Sequence, residues 1–174
     1  TRDNLGRIIH KTETVGGGTD TYVYGYSTAG RLAAVTKNGI AAGSYAYDAN
    51  GNRIFYTGPN GALTGSYDNQ DRLITYGANT YTYTANGDLL SKTTNGQTTS
   101  YSYDALGNLL SVTLPDATST EYVIDGQNRR IGKKINGVLQ QGFLYQDQLR
   151  PVAELSGAGT VVSRFVYATK ANVP

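Results

Sequence analysis

The sequence predicts an all-β fold, a repetitive antiparallel β-meander built from short hairpins. The chain contains 15 tyrosines and 22 glycines but only 4 prolines, a composition that favours strands joined by glycine turns. A unit of two aromatic residues, a polar turn and an apolar run recurs along the chain. Asn-Gly pairs separate several of these units, and Asn-Gly is a strong signal for a two-residue hairpin turn.

The clearest copy of the unit begins at Tyr101. Tyr101 and Tyr103 are two residues apart, so they share one face of a strand. We expect the Asp104 carboxylate to accept hydrogen bonds from backbone amides just ahead of it. Gly107 is expected to supply the positive φ that closes such a turn. The apolar run from Leu109 to Leu114 then predicts a second strand.

Related copies recur at intervals of about 20 residues. They begin near Tyr24, Tyr45, Tyr67, Tyr81 and Tyr122, and the copies around Phe143 and Phe165 lack the turn glycine. In the copy that begins at Tyr122, Ile124 takes the place of the second aromatic residue. The repeat-motif residues expected to hold this geometry are Tyr47, Asp48, Gly51, Tyr67, Asp68, Tyr83, Gly87, Tyr101, Tyr103, Asp104 and Gly107.

We therefore predict a single repetitive region over residues 1–174, with about eight units and about 15 or 16 strands of typical length. Six strands are expected near residues 88–94, 97–103, 108–114, 118–124, 129–135 and 138–145. An open sheet rarely exceeds about 10 strands without curling or splitting, so the sheet is expected to coil, close or stack on itself. Tyrosines on one face predict stacked aromatic ladders between units.

Composition narrows the function classes. The net charge of +2 is too small to indicate a nucleic-acid partner. Cysteine is absent, so no disulfide or thiolate site exists, and no apolar run is long enough to indicate membrane insertion. The length of 174 residues is sufficient for a domain with a hydrophobic core. The chain starts at Thr1 and contains no methionine, so we expect a fragment of a larger protein, with no visible export signal.

Four features of the sequence are candidate chemical sites. The lone histidine, His10, has no neighbouring nucleophile and orienting group, so a structural role is favoured. The turn at Asp48 resembles the start of a calcium loop, but Pro59 stands where the loop needs glutamate. Asp68 and Asp71 are paired carboxylates, as glycoside hydrolysis requires, yet they lie in one turn. A turn role is favoured for all three aspartates.

The fourth feature is the basic run from Arg129 to Lys134. In a strand its charges divide between two faces, which argues against a phosphate site and favours a solvated strand. The paired tyrosines could stack on sugar rings, and the candidate glycan-stacking residues are Tyr81, Tyr83, Tyr101 and Tyr103. Their fixed phase in each unit favours a structural role. No catalytic, metal or cofactor site is predicted.

The repeated pattern of Tyr-Asp, turn glycine, polar residue or arginine, and leucine or isoleucine resembles the YD repeat of Rhs proteins. Its most specific parts are residues 47–53 and 103–109, together with the run 148–155, which is similar to the end of the Rhs core. Arg164 to Tyr167 and Asn172 to Pro174 fit the same region. Insecticidal toxin complex proteins and teneurins contain similar repeats.

The resemblance implies a role in architecture. Rhs and toxin complex proteins use these repeats to build a hollow β-shell around a toxic C-terminal domain, which a later Asp-Pro-x-Gly-Leu motif releases. That motif is absent here, so self-cleavage is not assigned. The implied role is a non-enzymatic shell wall segment of a bacterial protein that is secreted or at the cell surface. Its partners would be the rest of the shell and the toxin domain.

The alternative is a surface module that binds carbohydrate or assembles with copies of itself into filaments. The tyrosine-rich face could hold a glycan, and an open-ended repeat sheet presents unpaired strand edges that invite strand addition. A hydrolase is the third and least favoured reading.

Overall fold

The computed structural model describes residues 1–167, and the regular secondary structure of these residues consists of β-strands. The chain divides into two compact units, Thr1–Thr80 and Tyr81–Pro174. The strands are β1 His10–Val15, β2 Gly18–Tyr26, β3 Leu32–Lys37, β4 Ile40–Tyr47, β5 Arg53–Gly58, β6 Gly61–Tyr67, β7 Leu73–Tyr76, β8 Asn79–Tyr83, β9 Leu89–Thr94, β10 Gln97–Tyr103, β11 Leu109–Thr113, β12 Ser119–Ile124, β13 Arg130–Ile135, β14 Val138–Tyr145, β15 Pro151–Ser156 and β16 Val161–Arg164.

The strands are ordered β1 to β16 as they occur in the chain, and the pairs are antiparallel. The predicted all-β meander is therefore confirmed. The six strands predicted between residues 88 and 145 agree with the observed bounds to within one residue at each end. Asn95 and Gly96, with φ of 50° and 79°, form one of the two-residue turns, because both residues adopt the left-handed conformation of a type I′ turn.

Neither unit has a hydrophobic core. Of the apolar residues that the structure describes, only Ala153 is buried, at 7% exposure. Within each unit the strands contact their neighbours in the chain, and no second layer of strands covers either face of the described part. The expectation of a hydrophobic core was wrong, because the described strands form a single layer and no second layer packs against either face.

The two faces of the sheet differ in chemistry. In β10, Tyr101 and Tyr103 are half-buried on what we call the tyrosine face, whereas Ser100 and Ser102 are exposed on the opposite hydroxyl face. Cross-strand hydroxyl pairs connect neighbouring strands on the hydroxyl face, for example Ser102 Oγ to Ser111 Oγ at 2.7 Å. The period-two alternation of the sequence produces this division.

A β-bulge occurs at the second aromatic position of the unit. In β10 the register shifts between Ser102 and Tyr103. Equivalent shifts precede Tyr26, Tyr47, Tyr67, Ile124 and Tyr145. A bulge re-aims the side chain that follows it, so the second aromatic side chains occupy equivalent positions along the sheet.

Candidate functional site

The turn that follows each second aromatic residue, here called the repeat turn, is the recurring feature of the chain. In the copy at Asp104, the backbone N–H of Asp104 donates to the carbonyl of Asn108 at 3.0 Å, and the N–H of Gly107 donates to the carbonyl of Asp104 at 3.1 Å. The Asp104 carboxylate accepts from the N–H groups of Leu106 and Asn108, both at 2.9 Å. Gly107, at the fourth position, has a φ of 82°.

The fourth position has a positive φ in other copies as well. Gly51 and Gly87 adopt φ values of 101° and 94°. Two copies carry a different residue there, Asp71 with a φ of 61° and Asn128 with a φ of 64°. Asparagine and aspartate tolerate this left-handed conformation better than other non-glycine residues. The backbone conformation is thus common to copies whose sequences differ.

The fifth position binds the aspartate of its own turn. Arg72 and Arg129 reach Asp68 and Asp125 with N–O distances of 2.7 and 2.6 Å. In the copy at Asp104 the fifth residue is Asn108, whose Nδ2 donates to Asp104 at 2.7 Å. The side-chain hydrogen bond from Asn108, followed by the backbone N–H of Asn108, holds the pKa of Asp104 below its usual value.

The fifth residue also contacts the next repeat turn. Arg31 Nη1 donates to the carbonyl of Asp48 at 2.8 Å, and Asn52 Nδ2 donates to the Asp71 carboxylate at 2.6 Å. Arg129 Nη1 donates to the carbonyl of Asp147 at 3.2 Å. Consecutive repeat turns are therefore joined by hydrogen bonds along the same edge of each unit.

A tyrosine hydroxyl forms a second connection between repeats. The second tyrosine of five copies donates to the backbone carbonyl of the sixth residue, the one directly after the preceding repeat turn. The donor and acceptor pairs are Tyr26 to Ile8 at 2.7 Å, Tyr47 to Leu32 at 2.9 Å, Tyr67 to Arg53 at 3.3 Å, Tyr145 to Arg130 at 3.0 Å and Tyr167 to Pro151 at 2.9 Å. A half-buried phenol retains its apolar contacts while its hydroxyl finds an acceptor.

The groups that stack on these tyrosine rings are arginine side chains and not the rings of other tyrosines. The guanidinium carbon of Arg129 lies 5.0 Å from the centre of the Tyr145 ring, a cation–π distance. Equivalent contacts join Arg7 to Tyr26 at 4.5 Å and Arg31 to Tyr47 at 5.8 Å.

The predicted aromatic ladder was therefore wrong. Ring contacts between tyrosines join Tyr22 to Tyr24 within one strand and Tyr45 to Tyr56 on neighbouring strands, and neither pair connects the second tyrosines of successive repeats. In Tyr26, Tyr47 and Tyr145 the ring of the second tyrosine meets an arginine of the preceding repeat turn, and its hydroxyl meets the carbonyl directly after that turn. Sequence reasoning missed these arginines, although their recurrence directly after the turn glycine, as at Arg7 and Arg31, was a readable signal.

The candidate glycan-stacking residues Tyr81, Tyr83, Tyr101 and Tyr103 are half-buried on the tyrosine face. Burial raises the pKa of the Tyr103 hydroxyl, and the nearby carboxylate of Asp88 adds to that effect. These tyrosines belong to the repeat structure, and a glycan role for them stays a prediction.

The other candidate residues lie in turns or at the start of strands. His10 begins β1 and is half-buried. Asp48 accepts hydrogen bonds from the N–H groups of Gly51 and Asn52, as a turn-forming aspartate does. Asp68 binds its fifth residue, whereas Asp71 accepts from Asn52 of the preceding turn. No group of three or more metal-ligating side chains occurs among the described residues.

The basic run also differs from its expected arrangement. Arg129 precedes β13 and binds Asp125, so it does not share a strand face with Lys133. The guanidinium of Arg130 lies 3.9 Å from the centre of the Tyr122 ring. Lys134 lies across from Glu121 in the sheet. The charges are thus distributed over different neighbours.

A family model described as Teneurin YD-shell matches residues 1–174. The chain belongs to this family. The Rhs and YD-repeat resemblance inferred from the sequence is confirmed. No helix that could cross a membrane occurs in the described part of this YD-shell chain.

Two similar curated proteins are Teneurin-4 of Mus musculus and Teneurin-4 of Homo sapiens. Each is 30% identical to this chain over 153 residues, which is 86% of the chain and 5% of the relative. The chain thus spans a small part of the length of these relatives.

Solved structures with a similar arrangement include a TcdB2-TccC3-Cdc42 structure, with 14% identity and a TM-score of 0.46 over 98% of this chain and 13% of that chain. A Photorhabdus luminescens Tc holotoxin pore has 16% identity and a TM-score of 0.40, over 89% of this chain and 12% of that chain. The Asn172 to Pro174 run that contributed to the resemblance lies outside the described residues.

Proposed function

We propose that the chain is a structural, non-enzymatic wall segment of an Rhs-type β-shell that encapsulates a C-terminal toxin domain. The observation that carries this proposal is the coupling of consecutive repeats. Fifth-position side chains reach the next repeat turn, as Arg129 does to Asp147, and in five copies a tyrosine hydroxyl reaches the preceding repeat, as Tyr145 does to Arg130. Membership of the YD-shell family supports the structural role.

The single layer of strands is consistent with a wall. A globular enzyme domain buries a core beneath its site, whereas each unit here exposes both of its faces in the part of the chain that the structure describes. A wall needs two accessible surfaces, one outside and one inside. The two chemically different faces, with tyrosines such as Tyr101 on one and hydroxyls such as Ser102 on the other, meet that need.

The side chains that resembled catalytic groups serve the repeat turns. Asp68 is bound by Arg72, and Asp48 by backbone amides and Asn52. We therefore place the chemistry of the parent protein outside this segment. Its partners are the rest of the same shell and the enclosed toxin domain, and its location is the secreted or surface-exposed part of a bacterial protein.

Protease protection tests the encapsulation. The parent protein, carrying its natural flanking sequence, is digested with a broad-specificity protease, and the survival of the segment downstream of the repeats is followed by mass spectrometry. We expect that segment to persist in the wild type. It should become digestible when Asp104→Ala and Asp125→Ala together open two repeat turns. Equal digestion in the wild type and the variant would refute enclosure.

A surface module that assembles with itself is the second candidate, because one edge of β1 is unpaired beyond His10. Within residues 1–167, His10 is hydrogen-bonded to Thr1 on that edge, whereas Lys11 to Val15 pair with β2 alone and are exposed. Such an edge accepts another strand. Filaments seen by electron microscopy, and lost when Thr12→Pro blocks the edge, would support assembly. Glycan binding lost in Tyr103→Ala would support the carbohydrate version, and a monomer without glycan binding would exclude both versions.

A further inference from the structure

One repeat lacks the tyrosine hydroxyl that bonds to the preceding repeat in five other copies. In five copies the second aromatic residue is a tyrosine that donates to the carbonyl of the sixth residue, as Tyr145 does to Arg130. In the copy that follows the turn at Asp104, the second aromatic position is Ile124 and the sixth residue is Leu109. Isoleucine has no hydroxyl, so it cannot donate to the Leu109 carbonyl.

Backbone geometry shows that Ile124 occupies the tyrosine position. The register of β12 shifts between Val123 and Ile124, just as the register of β14 shifts between Leu144 and Tyr145. Both bulges lie at the same point of the repeat. The substitution therefore changes the side chain without moving the backbone position that carries it.

The arginine that covers this position in other copies is also missing. Arg129, at the fifth position of its repeat turn, stacks over Tyr145. In the repeat turn that precedes Ile124 the fifth position is Asn108, which is too short to reach over the next repeat. Asn108 is instead hydrogen-bonded to Asp104 and to Asn128 at the turns. Two large side chains are thus replaced by two smaller ones at the same place.

A cavity of about 380 Å³ lies where these side chains are missing. Its lining residues are Asn108, Leu109, Ile124, Asn128, Arg130, Phe143 and Tyr145. Its volume falls within the range of roughly 300–1,000 Å³ that is usual for small-ligand pockets. Aromatic rings, a guanidinium and carboxamides surround the cavity, and these groups suit a flat ring that carries a polar atom.

We propose that this cavity binds a tyrosine side chain presented by an extended polypeptide. Its ring would lie against Phe143 and its hydroxyl would donate to the carbonyl of Leu109, as the protein's own tyrosines do in the other repeats. The occupied copies supply the argument for this occupant. Tyr67 donates to Arg53 although its fifth residue is Asn52, so an asparagine at that position is compatible with a seated tyrosine.

The recognition chemistry separates tyrosine from its close analogues. Phenylalanine offers the same ring but leaves the carbonyl without a donor, and the loss of one hydrogen bond weakens binding by about two- to ten-fold. An aliphatic side chain forms no stacking contact with Phe143 or with the Arg130 guanidinium. The cavity should therefore rank tyrosine above phenylalanine and phenylalanine above leucine.

Nuclear magnetic resonance titration of the 174-residue chain tests this ranking. The probes are N-acetyl-L-tyrosinamide, N-acetyl-L-phenylalaninamide and p-cresol, and the reporter is the amide of Leu110, which shares a peptide group with the Leu109 carbonyl. We expect saturable shifts at Leu110 and Arg130, with the tyrosine probe binding about two- to ten-fold more tightly than the phenylalanine probe. Saturation by p-cresol alone would show that the side chain is what is recognised.

Two variants make the outcome decisive. Ile124→Tyr restores the repeat pattern, so it should fill the cavity, abolish probe binding and raise the melting temperature. Ile124→Val leaves the cavity open and should retain binding. The proposal is overturned if no probe shifts Leu110 at millimolar concentration, if phenylalanine and tyrosine probes bind equally, or if Ile124→Tyr binds them as the wild type does.

Discussion

Replacing Gly107 measures how much one repeat turn depends on its left-handed residue. Gly107 has a φ of 82°, and a Cβ built there meets nothing nearer than the Asp88 carboxylate at 4.0 Å. Alanine would therefore fit sterically, and its cost would come from the backbone alone. An L-residue in the left-handed conformation costs about 1–2 kcal/mol. Asparagine should cost less, since Asn128 occupies the same turn position with a φ of 64°.

Amide hydrogen exchange at Asp104 is the most direct assay, because its N–H closes the turn by donating to Asn108 at 3.0 Å. A cost of about 1–2 kcal/mol corresponds to exchange that is about 5–30-fold faster. Gly126→Ala is the matched control, since Gly126 lies in another repeat turn without a positive φ and its Cβ would meet nothing within 4 Å. If Gly107→Ala exchanges as slowly as the wild type, or if Gly126→Ala is equally damaging, the turn argument fails.

Three further predictions concern other parts of the repeat. Tyr145→Phe removes the hydroxyl that donates to the Arg130 carbonyl at 3.0 Å and should lower the free energy of unfolding by about 0.5–1.5 kcal/mol in urea titration. Tyr122→Phe is the control, because the Tyr122 hydroxyl forms no hydrogen bond to the described residues. Equal losses in the two variants would contradict the coupling role. Asn136→Ala should reduce the melting temperature, since Asn136 has a φ of 49° and its side chain accepts from Ser119 N–H at 2.8 Å, whereas a variant as stable as the wild type would be inconsistent with a type I′ turn. Side-chain hydrogen bonds from the fifth residues are the chief cause that lowers the folded-state pKa of the turn aspartates Asp3, Asp48, Asp68, Asp104 and Asp125. The stability that these aspartates contribute is therefore present above their unfolded-state pKa of about 4 and is lost as pH falls through the folded-state pKa. Melting temperatures should be constant between about pH 8 and 5 and fall below about pH 4, and a flat profile to pH 2 would refute this prediction.

Local signals in the sequence were sufficient to predict the positions of the strands and turns. The Asn95-Gly96 pair requires positive φ at both residues, and the tyrosine alternation assigns Tyr101 and Tyr103 to one face. These features depend on residues within a few positions of each other, and backbone sterics determine their outcome. Order, pairing and strand bounds then followed from the short connections.

Contacts between repeats could not be predicted in the same way. The Tyr145 hydroxyl reaches Arg130, fifteen residues earlier, and Arg129 reaches Asp147, eighteen residues later. Such partners depend on where a bulge aims each side chain, which periodicity does not encode. The missing core has a similar origin, since an alternating pattern predicts two faces but does not specify what covers them. The cavity at Ile124 becomes visible only when one repeat is compared with the filled positions of the others.

Electron cryo-microscopy of the parent protein with its natural flanking sequence tests the central claim most directly. We predict that residues 1–167 appear as consecutive strands of a continuous shell wall, with the repeat turns joined along one edge and a separate polypeptide inside. A map in which these strands form an appendage with solvent on both faces, outside any enclosed volume, would contradict the proposed role.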